Sequence, residues 1–209
     1  MNRHITTWTG ILGVILFVVT SILAALQSPG YSHVSQLISE SYSIDTPYGR
    51  LLRFFGYLPS GICLTVFAFS AIGNFRKSNH TKLGFWGLGL FYGVATIVVS
   101  IFPCDKGCNK EFIDPSISQV IHSTVGLLTY LFTPIGLILI GIGVRKEARA
   151  LSSLAYTTGL LSILFISILF SNPLSEFAGL SQRIIEGSIL CWVLACALHI
   201  NRAMHLGDI

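Results

Sequence analysis

Six apolar runs separated by polar connections organise this chain: residues 8–26, 54–73, 83–102, 123–144, 151–170 and roughly 187–200. None of these runs contains Asp, Glu, Lys or Arg. A helix needs about 20 apolar residues to cross hydrocarbon, where every backbone polar group must be satisfied within its own segment. The pattern therefore predicts an all-α polytopic membrane protein, with six transmembrane helices in one bundle and a single integral membrane domain over residues 1–209.

Each run carries a feature of its own. The first follows the basic start Met-Asn-Arg-His, as the apolar core of a cleaved signal peptide would. It is as long as a full span and Ala24-Ala25-Leu26-Gln27 is a poor cleavage site, so it reads as a retained helix. Pro59 is expected in the first turns of the second span, where a missing N–H matters least. Gly89 and Gly93 give the third a small face for close helix approach. Thr133-Pro134 is expected to kink the fourth. The sixth run is short unless its helix begins before Glu186.

Composition agrees with a membrane setting. The chain is 52% hydrophobic and 11% charged, against roughly 25% charged residues in soluble domains. A net charge of +4 without a basic block interleaved with aromatics gives no reason to expect nucleic acid. Arg3, Arg76, Lys77, Lys82, Arg145, Lys146, Arg149 and Arg202, eight of the 13 Lys and Arg, fall on the termini and the two short connections, 74–82 and 145–150. The positive-inside rule then places both termini in the cytoplasm and the long connections, 27–53, 103–122 and 171–186, outside. Seven of the nine acids lie on that outer side, with only Glu147 and Asp208 inside.

The longest polar interruption is 29–45, containing His33, Ser35, Gln36, Ser39, Glu40 and Asp45. Its Val34-Ser35-Gln36-Leu37-Ile38 is echoed by Ile117-Ser118-Gln119-Val120-Ile121 and Leu180-Ser181-Gln182-Arg183-Ile184. Apolar residues at i and i+4 share one helix face, so each segment is expected to form a short helix in the outer interface or leading into the next span.

Candidate chemistry is confined to the outer connections. Asp105 ends the third span and His122 opens the fourth, so a return loop can bring them together as a base and its orienting carboxylate. With Glu40 as a second acid, these are the candidate catalytic residues. His33, His122 and Asp105 are the candidate ligands for a divalent metal such as zinc, although no diagnostic metal spacing is present. Solvated loop groups are the plain alternative. A Ser35 or Ser39 nucleophile beside His33 or His122 lacks the G-x-S-x-G context. Tyr31, His33, Ser39, Arg50, Arg53 and Glu186 are candidate binding residues; the two arginines suit snorkelling or a phosphate headgroup. Cys104 and Cys108 flank Gly107 on the oxidising side, which favours a disulfide over metal thiolates or free thiols. Cys63, Cys191 and Cys196 read as small apolar groups within spans. His199, with Arg202 and His205, reads as a helix end at the cytoplasmic surface.

Gly30-Tyr31-Ser32-His33-Val34-Ser35-Gln36-Leu37-Ile38-Ser39-Glu40, Phe102-Pro103-Cys104-Asp105 and His122 resemble a family of prokaryotic six-span integral membrane proteins of unknown function, over nearly the whole chain. The resemblance implies that Tyr31, Ile38, Ser39, Glu40, Asp105 and His122 occupy characteristic positions, in an inner (plasma) membrane. It implies no activity, and the Cys104 and Cys108 pair departs from it. The expectation is an outer-facing His/carboxylate site that binds or acts on a membrane lipid or lipid-linked substrate. The alternatives are a non-catalytic sensor or assembly protein with a protein partner or homo-oligomer, and a small-solute transporter or channel. Spans free of charge weigh against transport.

Overall fold

The computed structural model describes residues 3–206, with the side chains of 204–206 left out, so the expectations for His205 and Asp208 lie outside the described residues. Six helices are long and apolar enough to cross a membrane: α1 Arg3–Leu26, α2 Gly49–Asn74, α3 Asn79–Ile101, α4 Ile117–Val144, α5 Arg149–Ser171 and α6 Ala178–Leu206. No strand occurs among the described residues. Each helix packs on the next in sequence, and α6 packs on α1, so the six close into a ring. Connections 27–48, 102–116 and 172–177 lie at one end, here the upper, and 75–78 and 145–148 at the lower.

The helices are longer than their apolar runs. α2 starts at Gly49 and carries Arg53, α4 starts at Ile117, and α6 starts at Ala178 and carries both Arg183 and Glu186. Arg53 and Glu186 are buried against protein and not lipid, so their charges do not end the helix. The expectation of spans without charge is thereby corrected, and the weight it laid against transport goes with it. Of the three Ser-Gln echoes, the second and third are the opening turns of α4 and α6, while the first lies in a turn ahead of a short 3-10 helix, Ile38–Tyr42.

Pro59 lies well inside α2, not in its first turns. The ring of an interior proline clashes with the carbonyl four residues back, and here a π turn over Arg53–Tyr57 immediately precedes it. α4 runs as one helix through Pro134. Its Thr133 hydroxyl donates to the Phe91 carbonyl of α3 at 3.3 Å. Gly93 lets α3 meet α2, since a Cβ there would stand 2.7 Å from the Thr65 amide nitrogen.

The two halves of the ring are filled differently. In the lower half Phe67, Phe85 and Trp192 are fully buried and in ring contact, with Phe85 to Phe67 centroids 6.4 Å apart and Phe85 to Trp192 5.9 Å. The Trp192 indole donates to the Leu151 carbonyl at 3.3 Å, tying α6 to α5. Outward positions such as Leu12, Ile15, Leu131, Ile135, Leu160 and Leu164 are exposed aliphatics, as a lipid-facing surface requires. The upper half has tyrosines and a carboxyl group where the lower half has phenylalanine and tryptophan. Cys196 is buried, Cys63 half-buried and Cys191 exposed.

Candidate functional site

Residues 27–48 fold over the upper end as a roof, and side chains from the helices pin it. Arg183 of α6 is the main pin: its Nη1 donates to the carbonyls of His33 (2.8 Å), Gln36 (2.8 Å) and Gly179 (3.0 Å), and its Nη2 to the Tyr31 hydroxyl (2.7 Å). Gln182 accepts from the Ile38 amide at 2.6 Å. Within the roof, Gln27 donates to the Ser41 carbonyl and accepts from the Tyr48 amide. Arg53 donates to the Tyr42 carbonyl at 2.7 Å. Tyr31 donates to the Leu37 carbonyl at 2.6 Å, and its partial burial pushes the phenol up from its ordinary pKa against the pull of Arg183.

Several expected site residues are therefore structural fasteners. Glu40 accepts from the Leu37 amide at 2.7 Å and pairs with Lys110 at 2.7 Å, joining the roof to the second upper connection. Asp105 accepts from the Ser116 hydroxyl (2.5 Å) and amide (3.0 Å), and its own amide donates to Gln119. Those Ser116 hydrogen bonds hold its carboxyl below the usual carboxylate range. His122 is instead bonded through Nδ1 to the Phe102 carbonyl at 3.0 Å, which assigns the proton to Nδ1 and leaves Nε2 as acceptor. The expected Asp105 and His122 pair thus does not form, because Ser116 takes the carboxylate and the Phe102 carbonyl takes the imidazole. Arg50 is exposed on the first turn of α2.

The metal expectation fares similarly. His33 is exposed on the roof with its ring edge on Tyr31, centroids 5.4 Å apart, while Asp105 is held at Ser116. Among the described residues, the group of three potential ligand residues that does converge is Cys104, Cys108 and His122, with ligand atoms within 4.8 Å of one another. Cys104 and Cys108 are joined as a disulfide, so their sulfurs are not thiolates and the set does not fit a metal ion. Gly107 and Cys108 make the tight turn in left-handed backbone, φ 59° and 61°.

Under the roof lies a cavity of about 70 Å³. Its polar centre is Glu186, buried on α6 and about 12 Å below that helix's start at 1.5 Å per residue. Tyr92 of α3 donates to one carboxyl oxygen at 2.8 Å, and Tyr130 of α4 to the other at 3.1 Å. Gln182 donates to the Tyr130 hydroxyl at 2.9 Å, so the roof amide at Ile38 and the Glu186 carboxyl are ends of one hydrogen-bonded chain. No Lys or Arg nitrogen among the described residues comes within ion-pair distance of Glu186. Phe17, Tyr42 and Tyr57 complete the aromatic wall, with Tyr57 centroids 5.2 Å from Phe17 and 4.5 Å from Tyr42. Ser39 and His122 line the cavity too. The buried Tyr57 hydroxyl completes no hydrogen bond; Ser21 stands near it without meeting hydrogen-bond geometry.

Outside this cavity, an apolar groove of about 260 Å³ runs between α1 and α6. Val18 and Ile22 form one bank and Gly187 and Leu190 the other, with His33 and Arg183 toward the upper end. Val18 and Ile22 are exposed on the lipid-facing surface. Phe17, Ile38 and Glu186 wall both spaces, so groove and cavity meet at these side chains.

Tyr92, Tyr130, Tyr57, Tyr42 and Gln182 were not legible as a site from the chain. A mid-span tyrosine is the usable signal, since a buried phenol needs a partner. Tyr92 and Tyr130 both sit within apolar runs far from either interface.

A family model described as "Protein of unknown function (DUF998)" matches residues 11–199. No curated protein and no solved structure matches the chain.

Proposed function

Given that the chain belongs to this family of unknown function, we propose from the geometry that it is a multi-pass membrane protein that binds an amphiphilic molecule, its apolar chain in the groove between α1 and α6 and its polar head in the cavity at Glu186. One observation carries this reading: a buried carboxyl group walls both an apolar groove open to the bilayer side and a polar, aromatic-lined cavity. Acidic groups at membrane depth are costly and sit where a pathway or ligand uses them. Pockets that combine an apolar body with a few converging polar groups are the usual form of small-molecule sites.

Binding is favoured over turnover because His122, Asp105 and Glu40 are each engaged in fastening the structure and do not converge on one point. It is favoured over transport because Phe85 and Trp192 fill the ring about two turns below Tyr92 and Glu186, leaving the cavity a dead end. The excess of Lys and Arg at the lower end supports an orientation with the termini in the cytoplasm and the roof outside the plasma membrane of a prokaryote. The Cys104–Cys108 disulfide at the upper end supports the same orientation.

Gly187→Leu tests the reading. A Cβ at Gly187 meets nothing within 4 Å and Gly187 lines the groove, so a leucine side chain there starts in open space and is expected to occupy it. Lipid that copurifies with the wild type in mild detergent, identified by mass spectrometry of the extract, is expected to be lost from the variant. Equal lipid content in both proteins would overturn the proposal.

A further inference from the structure

We infer that the head group seated at Glu186 is an ammonium: the molecule is an amine-bearing amphiphile of the aminophospholipid kind. This rests on the amphiphile reading above and adds the charge of the head. Glu186 shares its cavity with five aromatic side chains, Phe17, Tyr57 and Tyr92 close to one another and Tyr42 and Tyr130 completing the lining. Its two bonded partners are neutral phenols. The nearby cations are committed elsewhere: Arg183 to three roof and helix carbonyls and the Tyr31 hydroxyl, Arg53 to the carbonyls of Tyr42 and Ser43.

A carboxylate enclosed by aromatic rings and lacking a protein cation is the chemistry that recognises an ammonium group, through the charge and through the negative faces of the rings. The Tyr57 hydroxyl is buried on the same cavity without a partner, and an ammonium has three donors to place. Size agrees: about 70 Å³ is well short of the roughly 300 Å³ at which drug-sized pockets begin. A small head fits, and a sugar head does not. The groove supplies the rest, since its Val18, Ile22 and Leu190 walls suit a hydrocarbon chain.

The test is native mass spectrometry of the full-length protein in a neutral maltoside detergent. The probes are lysophosphatidylethanolamine and lysophosphatidylglycerol with the same acyl chain, which share the acyl-glycerophosphate part and end in an ammonium in one and an uncharged diol in the other. The wild type is expected to hold the ethanolamine lipid about tenfold more tightly or better. Glu186→Gln, of the same shape, is expected to erase that preference, and Tyr57→Phe, which removes a hydroxyl without a protein partner, to reduce it severalfold. Gly187→Leu is expected to abolish binding of both probes. Equal retention of the two lipids by the wild type, or a preference that survives both Glu186→Gln and Tyr57→Phe, overturns the ammonium assignment while leaving the amphiphile reading in place. Retention of neither probe overturns both.

Discussion

Cutting Arg183 back to alanine leaves four acceptors without their donor: the carbonyls of His33, Gln36 and Gly179 and the hydroxyl of Tyr31. Three of the four belong to the roof. A hydrogen bond from a charged donor contributes about 1.5–3 kcal/mol. The four are not independent, because Nη1 serves three of them and the His33 carbonyl is open to solvent. Two bonds at the low end of that range set the loss at about 3 kcal/mol. The cost falls on the roof alone, since the helices beneath pack by other contacts. At about 1.4 kcal/mol per factor of ten, the open-roof population should rise about 100-fold. Chymotrypsin cleavage after Leu37 or Tyr42 reads that population directly when opening is fast relative to cleavage. Arg183→Lys keeps the charge but lacks the planar fork, so it should be cleaved nearly as fast as the alanine variant. Cleavage of Arg183→Ala within about threefold of the wild type would refute the assignment of Arg183 as the roof's main fastener.

Other outcomes follow from single contacts. A Cβ on Gly84 would stand 2.5 Å from the Gly136 carbonyl oxygen, whereas one on Gly87 would be 3.6 Å from the Gly136 Cα. Gly84→Ala should therefore destabilise the α3 and α4 pair by about 2 kcal/mol from overpacking, while Gly87→Ala gains up to about 1 kcal/mol of helix propensity. Apparent melting temperatures in one detergent check this, and a Gly84→Ala protein melting at or above Gly87→Ala would contradict it. The depressed Asp105 carboxyl implies a definite sign. Its stabilising contribution is complete above the ordinary aspartate range, near about 3.9, and is lost as pH falls through the lower folded-state value. Ser116→Ala removes the larger cause, so the Asp105 titration followed by carbon NMR should move up toward the ordinary value. An unmoved midpoint would show that the Ser116 hydroxyl is not responsible.

The helices were legible because hydrocarbon demands long uncharged stretches, and six such stretches stand out in the chain. Their ends were not, because the same apolar criterion treats a charge as a boundary. Arg53 and Glu186 face protein within the ring, where a polar partner replaces the water they give up, and the helix continues past them. The upper loops were legible as polar but not as a site. Asp105, His122 and Glu40 look like a reactive set when the chain is read as a line. Which acceptor each one meets depends on turns such as that at Gly107 and Cys108, and the nearest backbone group or serine captured them first. Glu186 stands out in the chain as a candidate, but the residues it meets come from α1, α2, α3 and α4, and no spacing along one helix encodes that meeting.

Five of the six helix pairs around the ring are also joined by a connection, so none of them can part far without stretching a loop. The pair that closes the ring, α1 with α6, has no such tether, and the groove runs along that pair. Near the lower end Thr7 of α1 donates to the Ala197 carbonyl of α6; at the upper end the seam is spanned by the roof, covalently continuous with α1 and held to α6 by Arg183, Gln182 and the Leu180 amide bonded to the Val34 carbonyl. If the proposed amphiphile enters along this seam, the roof is its clasp, and side chains at the upper end would govern how readily the innermost carboxyl group becomes reachable from within the membrane.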